Sequence, residues 1–100
     1  TRPPIAISGK NYVEMGHAIT IFCNATEPPG TPVTIDWFKD GDTIDYIKYK
    51  HVVITNYHLV ETNVLVSELL IDRSQPRDTG TYICRSPRGH IDSIKVTVLS

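Results

Sequence analysis

Long apolar runs are missing from this 100-residue chain. No stretch approaches the roughly 20 residues that a helix needs to cross a bilayer. An excess of one charge is missing too. Lys and Arg number 10 against 11 Asp and Glu, for a net charge of −1. That excludes the basic stripe with which a nucleic-acid binder neutralises phosphates. Cysteine is scarce, at two residues, Cys23 and Cys84. Two leave room for one disulfide, although a cytosolic chain would keep the same pair as thiols. Metal-ligand spacing is absent. His17, His51, His58 and His90 pair neither with one another nor with a cysteine at such spacing. They are expected at the surface or in packing roles. Asp40, Asp42 and Asp45 lack the closing bidentate Glu of a calcium loop and read as a solvated turn. No Ser, His and carboxylate form a local catalytic motif, so no catalytic residue, cofactor or metal is expected. Helix periodicity is missing throughout, which leaves strands to carry the core.

What is present is alternation. The length suits one domain with one core, residues 1–100. Thr1-Arg2-Pro3-Pro4 opens no leader pattern, and both ends read as cut from a longer, multi-domain ectodomain. Any leader or membrane anchor is then expected outside this stretch. Residues 3–8 read as an extended edge strand, resumed at 11–14 after Gly9-Lys10. In 18–23, Ile19, Ile21 and Cys23 share one face. Residues 27–32 are a Pro/Gly loop. Val33, Ile35 and Trp37 then point one way, before the turn Asp40-Gly41-Asp42 and a short strand from Thr43. Residues 52–55 have strand composition and read as an edge strand followed by a loop. Leu65, Ser67, Leu69 and Ile71 face inward along 64–71. The turn Ser86-Pro87-Arg88-Gly89 separates strands at 80–85 and 91–98, with Ile94, Val96 and Val98 inward.

One stretch organises the rest: Asp78-Thr79-Gly80-Thr81-Tyr82-Ile83-Cys84. A Tyr two residues before a Cys, after a Gly turn, is the pattern of a tyrosine corner. Together with Cys23 and Trp37, it resembles the immunoglobulin superfamily over essentially the whole chain. The resemblance implies an all-β, immunoglobulin-like Greek-key sandwich of I-set or V-like type, with about seven to nine strands. It implies a Cys23–Cys84 inter-sheet disulfide with Trp37 packed on it. In the chain-entropy account a bridge over such a loop stabilises by about 4 kcal/mol. The triplet Asn24-Ala25-Thr26 is an N-glycosylation acceptor, and Asn24 should face solvent because Cys23 faces in. It favours an oxidising, extracellular setting for the pair.

Two further phrases narrow the resemblance. Tyr12 to Ile21 leads into Cys23, and Glu27-Pro28-Pro29 leads through Ile35-Asp36-Trp37 to Ile44-Asp45-Tyr46. With Tyr82 to Pro87 they resemble the second immunoglobulin domain of the invertebrate Dpr (defective proboscis extension response) family and the similar nematode zig proteins. Phe38-Lys39 departs from the Tyr-His that often follows the Trp there. The resemblance implies a neuronal cell-surface or secreted recognition protein. Its partners would be other immunoglobulin-superfamily surface proteins, held mainly through a neighbouring domain, with this domain a spacer. No binding residue carries over. The structural residues Cys23, Trp37, Asp78, Tyr82 and Cys84 do. The alternative is a structural domain of a cytoplasmic muscle-type array.

Four features stay open at this level. In many relatives the Asp at position 78 pairs with a basic residue, and Lys50 or His51 stands where an Arg would. Many relatives also carry an apolar residue where Ser74 sits. Tyr46, Tyr49 and Tyr57 gather aromatic surface near the edge at 52–55, either as an interface or as packing under the crossover. Arg73, Arg77, Arg85 and Arg88 would form a basic patch or, as charge runs usually do, scattered solvated charges.

Overall fold

The structure is a computed structural model describing residues 4–28, 30, 34–45 and 47–100. Val33 and Tyr46 therefore lie outside the described residues. Among the described residues nine strands follow in order: β1 (Ile5–Gly9), β2 (Tyr12–Glu14), β3 (Ile19–Thr26), β4 (Asp36–Lys39), β5 (Asp42–Thr43), β6 (Val52–Leu59), β7 (Val64–Ile71), β8 (Gly80–Arg85) and β9 (Ile91–Leu99). A 3-10 turn, Pro76–Asp78, precedes β8. They form two sheets, β1-β3-β7-β6 and β2-β9-β8-β4-β5.

The first strand divides between the sheets. β1 lies antiparallel on β3, and β2 lies parallel on β9. Gly9 ends β1 where the backbones approach closely. A Cβ there would stand 3.0 Å from the carbonyl oxygen of Thr20.

Alternation puts Ile19, Ile21, Cys23 and Ala25 of β3 inward, opposite Leu65, Leu69 and Ile71 of β7. Trp37, Tyr82, Cys84, Val96 and Val98 close the core from the other sheet. Each fully buried aliphatic side chain contributes about 1.5–3 kcal/mol. Cys23 and Cys84 are disulfide-bonded across the sheets. The Trp37 indole N–H donates to Ser67 Oγ at 2.8 Å. Ser67 is fully buried, so this bond removes the cost of a polar group in the core.

The corner before β8 is made by Asp78 and Tyr82. The Tyr82 hydroxyl donates to the Asp78 carbonyl at 2.6 Å. Burial pushes the Tyr82 hydroxyl well above its ordinary pKa, and the nearby charges of Asp78 and Asp40 push it further. Ser74 is buried although polar. Its Oγ donates to the Glu14 carbonyl and its N–H to the His17 carbonyl, while its own carbonyl accepts from Gly16 N–H. The hydroxyl thus ties two turns together where many relatives use apolar packing.

The segment read as a short edge strand and a loop is one eight-residue strand. Its pairing with β7 continues through Asn56, Tyr57, His58 and Leu59, opposite Ser67, Val66, Leu65 and Val64. Ladder bonds along β7 outweigh the weak strand preference of Asn. The strand stops at a turn in which Asn63 takes φ 50°. β4 begins at Asp36, with Ile35 buried just before it.

Candidate interaction surfaces

The sandwich offers two outer faces and an end. On the five-stranded sheet, Phe38 and Asp36 of β4 point out beside Ile83 and Arg85 of β8. The Arg85 guanidinium lies 5.0 Å from the Phe38 ring centre and is 3.0 Å from the Asp36 carboxylate. Phe38 is therefore capped by a charge that already has a partner, whereas Tyr12 of β2, outward on the same sheet, is 68% exposed. The pair is exposed, so its contribution to stability is small.

The end near Asp78 is an open cleft lined by Lys39, Lys48, Lys50, His51 and Arg77. Asp78 lies at its base, 3% exposed. Nε2 of His51 donates to Asp78 Oδ1 at 2.8 Å. Gln75 N–H donates to Oδ2 at 2.8 Å. Of the two basic candidates, His51 is the one in contact. Lys39 is engaged with the Arg77 carbonyl. Arg77 lines this cleft, Arg85 points out from β8 and Arg88 lies in the turn beyond β8, so these three do not gather on one surface.

Tyr49 and Tyr57 are not brought together. Tyr49 is half-buried and packs against the core. Tyr57 points out from β6 and is 50% exposed. Tyr46 is outside the described residues.

The outer face of the four-stranded sheet went unnoticed in the sequence. Phe22 of β3, Val66 and Leu70 of β7, and Val53, Tyr57 and Leu59 of β6 all point outward there. Asn24 stands among them, exposed and directly opposite Val66. The signal was available in Val64-Leu65-Val66 and Leu69-Leu70-Ile71. A strand with apolar residues on both parities has two apolar faces. Among the described residues no group of three or more His, Cys, Asp or Glu is placed to hold a metal ion.

Comparison with known proteins agrees with this architecture. The structure superposes on the Ig1-Ig2 chain in a crystal structure of Dpr2 Ig1-Ig2 in complex with DIP-Theta Ig1-Ig3, with a TM-score of 0.78 and 22% identity. The match covers 96% of this chain and 49% of that one. Human Brother of CDO is 32% identical over 77% of this chain, and Drosophila melanogaster Neuroglian is 32% identical over 75%. Human vascular endothelial growth factor receptor 1 is 32% identical over 74%. These alignments span 5–6% of those much longer proteins. The immunoglobulin domain family model matches residues 11–87. With the bridge, the Trp and the tyrosine corner in place, this chain belongs to the immunoglobulin domain family.

Proposed function

We infer that this chain is a non-catalytic extracellular domain of a cell-surface or secreted recognition protein of neuronal type. It acts mainly as a spacer beside a partner-binding immunoglobulin domain of the same ectodomain. The observation that carries the spacer reading is the state of the five-stranded face. Across β4 and β8 the aromatic, Phe38, lies under Arg85, and Arg85 is held by Asp36, which leaves Tyr12 of β2 as the exposed aromatic at the other side of the sheet. Interface anchors are usually aromatic or Arg side chains free to enter a partner's pocket. The bridged Cys23–Cys84 pair and the outward Asn24 support an oxidising compartment. The relatives support a recognition role. One is by name a growth factor receptor, and the Dpr2 structure is a complex between two multi-Ig proteins.

The test is binding of candidate immunoglobulin-type surface proteins to this domain alone and to the domain joined to its predecessor. Binding by the longer protein only is expected. Equal binding by this domain alone would overturn the spacer reading. Intact mass after eukaryotic expression checks the compartment. Free thiols would favour the cytoplasmic array instead.

A further inference from the structure

The outer face of the four-stranded sheet is built unlike a surface meant for bare water. Phe22, Val53, Tyr57 and Leu59 are between 38% and 54% exposed. Val66 and Leu70 lie half-buried between them. Glu68 is the only charged side chain among the outward positions of β3, β6 and β7. One-sided antiparallel sheets normally alternate apolar-in with polar-out. Apolar residues fill the rows on both sides of Glu68 and Thr55, and exposed apolar surface of this kind marks a covered surface or an aggregation hazard. The hazard is compounded because, among the described residues, β6 is the last strand of its sheet, with one side unpaired.

The sequence places a covering group in the middle of this face. Asn24 sits on β3, with Ala6 opposite on one side and Val66 on the other. Phe22 and Thr26 lie two residues away along the strand, on the same side. Thr26 is the hydroxyl residue of the acceptor triplet. Directly opposite side chains in such a sheet stand about 5 Å apart. Tyr57, opposite Val66 on β6, is two strand spacings from Asn24, about 10 Å. The first sugars of a glycan on Asn24 would therefore lie over Phe22, Val66 and Tyr57.

We propose that Asn24 carries an N-linked glycan that covers the apolar outer face of β3, β7 and β6. This rests on the extracellular reading above. In the attachment step, Asn24 Nδ2 bonds to C1 of an oligosaccharide carried on a polyprenyl diphosphate. The C1–O bond breaks, the diphosphate leaves with the bonding electrons, and the amide proton passes to a base of the transferase. The C–H faces and acetyl methyls of the core sugars rest on the Phe22 and Tyr57 rings and on Val66. Their hydroxyls turn to water. The glycan's bulk also keeps a second sheet from docking on the face.

The test uses the chain secreted from eukaryotic cells, with Asn24→Gln and Thr26→Ala to remove the acceptor and Thr26→Ser to keep it. Intact mass should show a glycan on the wild type and on Thr26→Ser, and none on the other two. Sedimentation at increasing concentration then reads self-association, and a polarity-sensitive dye reads apolar exposure. Burying even one more aliphatic side chain between two copies shifts association by about tenfold. The glycan-free forms should therefore self-associate at about tenfold lower concentration and bind more dye. Val66→Thr combined with Leu59→Thr should restore the monomer without a glycan. If a glycan-free variant is not secreted, enzymatic trimming of the folded glycoprotein supplies the same comparison. A secreted, disulfide-bonded wild type without a glycan would overturn the proposal and leave the extracellular reading standing. A chain retained in the cytosol with free thiols would overturn both. A glycan whose removal changes neither association nor dye binding would overturn its covering role. So would association of the glycosylated chain that Val66→Thr abolishes, because the face would then belong to a second copy.

Discussion

Asp78→Ala is the substitution that most directly tests how this corner is held. The side chain is 4% exposed, with Oδ2 accepting Gln75 N–H and Oδ1 accepting His51 Nε2. Alanine removes both bonds and leaves the Gln75 N–H without an acceptor. A hydrogen bond to a charged acceptor contributes about 1.5–3 kcal/mol, so the Gln75 bond is entered at about 2. His51 is 33% exposed on its side chain, so its bond is screened and is entered at about 0.5 kcal/mol. The lost packing of a small buried group adds about 0.5–1 kcal/mol, for a total near 3. For a domain of this size each kcal/mol shifts Tm by about 4–8 °C, which gives a drop of roughly 12–24 °C. Scanning calorimetry at neutral pH, with urea unfolding as a second probe, reads it. Asp78→Asn keeps an oxygen toward Gln75 and should cost about half as much. A double-mutant cycle with His51→Ala should show coupling of about 0.5 kcal/mol, separating the two bonds. A drop under about 4 °C for Asp78→Ala would refute the reasoning, because the buried carboxylate would then be holding nothing.

Tyr82→Phe loses the bond to the Asp78 carbonyl and should cost about 1 kcal/mol at neutral pH. It should also flatten the alkaline limb. The unfolded tyrosine ionises near pH 10 while the folded one is held above that, so the wild type loses stability only as pH rises past about 10. Unfolding measured from pH 7 to 11 checks both signs. Trp37→Phe strands the buried Ser67 hydroxyl and should cost about 3 kcal/mol, part of which Ser67→Ala recovers in a double-mutant cycle by urea unfolding. Gly80→Ala places a Cβ 2.6 Å from Asp40 Oδ2, so Asp40 must swing off Thr81 N–H at a cost of about 1 kcal/mol. In an Asp40→Ala background the same substitution should be close to neutral by thermal unfolding.

The core was legible because its residues are each required by a chemistry that few alternatives satisfy. Cys23, Trp37, Tyr82 and Cys84 needed only strand parity to be placed, and all four are buried where parity put them. Asp78 was legible as a pairing group because the resemblance implies a basic partner at that position. Adjacent in sequence, Lys50 and His51 differ only in which one the fold turns onto Asp78, and that is His51. The length of β6 was not legible. Asn56 and His58 read as loop by composition, and only their ladder with β7 makes them strand. Ser74 looked like a loss of packing and is instead a three-way backbone tie. Tyr49 and Tyr57 looked like neighbours in sequence, yet one packs on the core and the other stands on the outer face. The apolar outer face is written on three strands far apart in sequence, and only their pairing sets Phe22 and Tyr57 on either side of β7.

The division of the first strand has a mechanical consequence. β2 runs parallel to β9, with Tyr12, Val13 and Glu14 beside Thr97, Val98 and Leu99. Thr97 N–H donates to the Asn11 carbonyl and Met15 N–H to the Leu99 carbonyl, extending the same seam. A pull that draws the two ends of the chain apart slides these strands lengthwise past each other. Every bond of the seam then bears load together instead of opening one at a time. Beyond the seam, the Cys23–Cys84 bridge closes a segment of sequence separation 61 that tension cannot draw out. A stretched chain would yield length only from the residues outside that ring, which makes this domain a short, stiff link under load.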